Sequence, residues 1–170
     1  MTRPPFPPPS ESDIARVSEQ LGRPARDVLG IAARTRAGDP TVVATAPRLS
    51  DGTPFPTLYY LSSPAATAAI SHLEAEGLMR ELNERLETDE ELRAAYEMAH
   101  RSYLADRESI AQVPELAGIS AGGMPARVKC LHALAAHALA AGPGVNPIGD
   151  LALELADWSP DEPADHVAAD

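Results

Sequence analysis

The sequence predicts an α+β domain, a three-stranded antiparallel sheet covered by four to five helices. Three observations predict it. Three short β-like runs lie before residue 64 and are joined by links rich in Gly, Pro and Asp. At about Pro64 the apolar period changes from two to helical. The 170 residues suffice for one core and leave little for a second domain.

Met1–Ser10 carries five prolines and no apolar period, so residues 1–11 are expected to be a disordered arm. The folded unit is expected over 12–158. Ser12 to Gly22 reads as a short amphipathic helix with a Ser cap, lying as a lid on the sheet. The strands are expected at Val28–Arg34, Thr41–Ala46 and Thr57–Ser62, with links short enough for antiparallel pairing. Ala69, Ile70, Leu73, Leu78, Leu82 and Leu86 then form one apolar stripe, broken at Gly77. Thr88-Asp89-Glu90-Glu91 is a helix start, because a cap oxygen and first-turn carboxylates suit the positive helix end, and that helix runs to about Ala111 before Pro114. Further helices are expected over Pro125–Ala141 and from Asn146-Pro147 to Trp158. Residues 159–170, with four acidic residues and two prolines, read as a disordered acidic tail.

A net charge of −11 opposes general binding to nucleic acid or an anionic membrane. No apolar run reaches the roughly 20 residues of a membrane span, and the Pro-rich start is unlike a secretory signal. The single cysteine excludes an internal disulfide framework, and the expected location is cytoplasmic.

Two regions carry candidate chemistry. Tyr96, His100, Tyr103 and Arg107 share one stripe of the long helix, where they line a polar pocket or pack singly against neighbours. Gly122-Gly123 leads into Arg127, Lys129 (the lone lysine), Cys130, His132 and His137. As the start of a helix this is an anion site for phosphate or carboxylate. On one regular helix Cys130 and His132 stand about 200° apart, so no metal site and no cofactor is expected. Asn146 is placed to cap the last helix, which follows the helix bearing His137.

The segments Pro47-Arg48-Leu49 with Asp51 to Leu61, Leu73 to Met79, Ala99 to Leu104, Arg127 to His132 with His137, and Gly144-Val145-Asn146-Pro147 together resemble the bacterial family known as domain of unknown function 501, from about Leu21 to Ala156. The resemblance implies a bacterial cytoplasmic protein and supplies no substrate. It also implies that relatives place Cys at Thr35 and Cys or His at Ser63, ligands lost from this chain. The resemblance further implies that the gene is a frequent chromosomal neighbour of those for a septum-formation initiator protein and an exopolyphosphatase, an association and not a mechanism.

Two functions follow as expectations, with enzymatic activity left open. One is a domain binding a small anionic ligand in a pocket between helices, using His100, Tyr103, Arg107, Arg127, Lys129, Cys130, His137 and Asn146. The alternative is a non-catalytic adaptor whose Pro-rich arm and acidic helices contact a protein partner linked to cell division.

Overall fold

The computed structural model describes residues 1–161. The sheet is built from β1 (Val28–Arg34), β2 (Pro40–Thr45) and β3 (Tyr59–Leu61), in that order and antiparallel throughout. Alternation along the strands assigns two faces. Ile31 and Val43 meet Val17 of α1 (Glu11–Leu21) on one face. Ala32, Val42, Ala44, Tyr59 and Leu61 join the main core on the other. With both faces covered, β2 is buried along its whole length.

The cap of α1 is Ser10 rather than Ser12: its hydroxyl accepts from the Asp13 N–H while Asp13 accepts from the Ser10 N–H. Gly22 closes the helix at φ 65°. On the main-core side lie α2 (Pro64–Ala75), α3 (Leu78–Thr88), α4 (Glu90–Ile110), a 3₁₀ turn at Pro114–Leu116, α5 (Leu131–Ala141) and α6 (Pro147–Leu155). Gly77, at φ 93°, breaks α2 from α3, and Asp89 caps α4 through the Leu92 N–H. Thus six α-helices stand among the described residues, one on the lid face and five on the core face.

Two expectations are corrected. Residues 1–10 are extended but not loose: Thr2 N–H donates to the Ala32 carbonyl at 2.7 Å, along the edge of β1. Arg3 grips Asp106 through Nε and Nη2, and Phe6 packs edge-on to Tyr59. Prolines prevent a helix there, yet the edge strand and a buried carboxylate supply partners. The arm, a surface an adaptor would present, is therefore engaged by its own domain.

The helix expected from Pro125 starts instead at Leu131. Gly122 and Gly123 take φ 66° and 94°, and Asn83 of α3 bonds both the N–H and the C=O of Val128, pinning that segment as a loop. The acidic tail from residue 162 onward lies outside the described residues.

Candidate functional site

On α4 the expected stripe is buried, and each of its groups has its own hydrogen-bond partner. Tyr96 donates its hydroxyl to the Arg127 carbonyl at 3.1 Å. His100 Nδ1 pairs with Ser120 Oγ at 2.8 Å, and burial lowers its basicity. The Tyr103 hydroxyl accepts the Leu58 N–H at 2.6 Å; burial holds its proton far above the usual phenol range. These contacts tie α4 to the strand and loop opposite.

Arg107 is different. Its guanidinium is 2% exposed, donating from Nη1 to Pro56 O at 3.1 Å and from Nη2 to Leu116 O at 2.8 Å. No carboxylate lies within salt-bridge distance of it among the described residues. Burial consequently pulls its pKa below the ordinary arginine value. Arg107 also lines a cleft of about 240 Å³ between the end of α4 and the 3₁₀ turn, rimmed by Glu108, Gln112 and Val113.

Because α5 begins at Leu131, Arg127 and Lys129 lie exposed in the preceding loop, outside the first turn of the helix. Among the described residues neither side chain hydrogen-bonds to His100 or Arg107. His137 is fully buried, stacked on Tyr59 and edge-on to Tyr103, with Nδ1 3.1 Å from the Asn146 amide nitrogen. Asn146 also caps α6, accepting the Gly149 N–H at 2.9 Å.

The late start of α5 changes the geometry of Cys130 and His132. Cys130 is the residue before the helix, with extended backbone (φ −152°), so the regular-helix separation of about 200° does not apply. Its Sγ lies 4.0 Å from His132 Nδ1. Glu74 of α2 reaches the same nitrogen at 3.3 Å and accepts the Leu131 N–H at 2.8 Å. The imidazole lowers the pKa of the Cys130 thiol, and the thiol in turn raises that of His132. Among the described residues this is the group whose donor atoms lie close enough together to hold a metal ion. Sequence reasoning missed Glu74 as a member, since no local pattern links it to a helix start 57 residues later.

No curated protein and no solved structure matches the chain. One family model does, described as Protein of unknown function (DUF501), over residues 31–154. That span holds β2, β3, the second half of β1 and helices α2 to α5, including Arg107, Glu74, Cys130 and His132, and exceeds half of the sequence; the chain belongs to the DUF501 family.

Proposed function

We propose that the domain binds a small anionic ligand in the cleft at the C-terminal end of α4, with Arg107 as its recognition group. The reading is carried by one observation: a nearly fully buried guanidinium that lines a cleft and has no carboxylate partner among the described residues. A buried charge without a counter-ion costs several kcal/mol. The carbonyls of Pro56 and Leu116 take two of its donors, whereas a guanidinium offers five. An incoming carboxylate would supply the missing charge and accept further N–H groups.

The surroundings limit the ligand. Glu108 stands on the rim, and the negative end of the α4 dipole is adjacent. Both disfavour a dianion, so the cleft suits a singly charged carboxylate better than a phosphate dianion. Its volume of about 240 Å³ admits a small molecule only.

The test is calorimetric titration of the full chain with acetate, with inorganic phosphate as comparison, at low ionic strength. Acetate should bind better than phosphate; Glu108→Gln should tighten acetate binding a few-fold by removing rim repulsion, and Arg107→Lys should weaken it at least about tenfold. Equal acetate affinity in the native chain and in Arg107→Lys would overturn the reading.

A further inference from the structure

We propose that Glu74, Cys130 and His132 form a binding site for one thiophilic divalent cation of the zinc class. The site is independent of the Arg107 cleft and rests on different elements, α2 and the start of α5.

The spacing of the donor atoms carries the first part of the argument. Cys130 Sγ and Glu74 Oε1 lie 4.0 Å and 3.3 Å from His132 Nδ1, and all three donor atoms fall within 4.8 Å of one another. Tetrahedral zinc, with bonds of about 2.0–2.3 Å, spaces its ligand atoms about 3.3–3.6 Å apart. The nitrogen–oxygen pair already has that spacing. The sulfur lies 4.0 Å from Nδ1 and within 4.8 Å of the carboxylate, so it needs to approach by up to about 1 Å, which a side-chain rotation supplies.

The second part is the orientation of the imidazole. His132 Nε2 lies 3.3 Å from the Thr67 carbonyl and 3.0 Å from Ser71 Oγ. A carbonyl only accepts, so Nε2 carries a proton, and it is Nδ1, whose own proton a metal ion would displace, that faces the sulfur and the carboxylate. Metal-ligating histidines are held in this manner, with the second ring nitrogen donating to a carbonyl or carboxylate. An isolated histidine–glutamate ion pair would not require it.

The frame is also fixed from both sides. Cys130 occupies the cap position of α5, and Glu74 is anchored across the helix seam by the Leu131 N–H. All three residues are partly exposed, which leaves a path for the ion. The sulfur, nitrogen and oxygen donor set selects a borderline-soft ion over magnesium or calcium. Three protein ligands leave a fourth position of the tetrahedron for water or a small anion.

The test uses the full chain, freed of metal with a chelator and titrated with Co²⁺ alone at neutral pH. One equivalent should bind with a thiolate-to-cobalt charge-transfer band, and Zn²⁺ should displace it. The band should vanish in Cys130→Ser, and affinity should fall at least about tenfold in both Glu74→Gln and His132→Ala. Glu74→Gln keeps an acceptor for the Leu131 N–H, so its unchanged circular dichroism separates lost ligation from lost folding. Absence of the band in the native chain, or an affinity unchanged in Glu74→Gln and His132→Ala, would overturn the proposal. Arg107→Lys should leave the cobalt titration unaltered, so failure here and failure of the anion site are read separately.

Discussion

Asn146 and His137 face each other across the α5–α6 turn, with the amide nitrogen 3.1 Å from imidazole Nδ1. The amide donates, so Nδ1 is bare and the neutral ring carries its proton on Nε2, which finds no acceptor among the described residues. The ring is stacked on Tyr59, and burial pushes its pKa down from 6.5 to about 4.

This depression has a direct consequence for stability. The unfolded chain takes up the proton near the ordinary value and the folded chain only near 4. The contribution is therefore complete above about pH 6.5, declines as pH falls, and levels off near pH 4. Its full size is about 3 kcal/mol, from about 1.4 kcal/mol per pKa unit. Nuclear magnetic resonance titration should find the His137 ring unprotonated between pH 7 and 5; a midpoint near 6.5 would refute the assignment.

Arg3 fastens the N-terminal arm to Asp106 with Nη2–Oδ1 at 2.8 Å, and Asp106 also accepts the Tyr59 hydroxyl at 2.7 Å. Arg3 is partly exposed, so Arg3→Ala should cost only about 1 kcal/mol while opening the arm to protease. Asp106→Ala should cost about 3 kcal/mol, because it strands both a buried hydroxyl and a cation. Denaturant unfolding of the two variants checks the order; equal losses would contradict it.

Gly30 permits the arm to lie flat on β1. A β-carbon there would stand 2.6 Å from Phe6 Cβ and 2.8 Å from Pro7 O. Gly30→Ala should displace Phe6 from Tyr59, destabilise the chain by about 1–3 kcal/mol, and speed hydrogen exchange at the Thr2 amide. An arm equally protected in the variant would show that the contact is not needed.

The three β-like runs before residue 64 and the short Gly-, Pro- and Asp-rich links between them were enough to predict the antiparallel sheet. Gly77, Asp89 and Asn146 marked helix ends because caps act locally, through groups within three or four residues. The start of α5 was not legible in this way. Pro125 and the apolar residues after it have the pattern of a helix, but the carboxamide of Asn83, 45 residues earlier, bonds both backbone groups of Val128 and holds it in a loop. Nor did the Pro-rich composition of the arm reveal that β1 would offer it a free edge.

Local chemistry in the sequence thus determined the fold class, the order of elements and most helix caps, since each depends on periodicity or on neighbouring residues. Only tertiary structure decided which candidate residues meet. It placed Arg127 and Lys129 in the loop before α5, left Arg107 buried with no carboxylate within salt-bridge distance among the described residues, and brought Glu74 to Cys130 and His132. Those outcomes depend on helix packing and loop closure between distant segments, which single-chain periodicity does not encode.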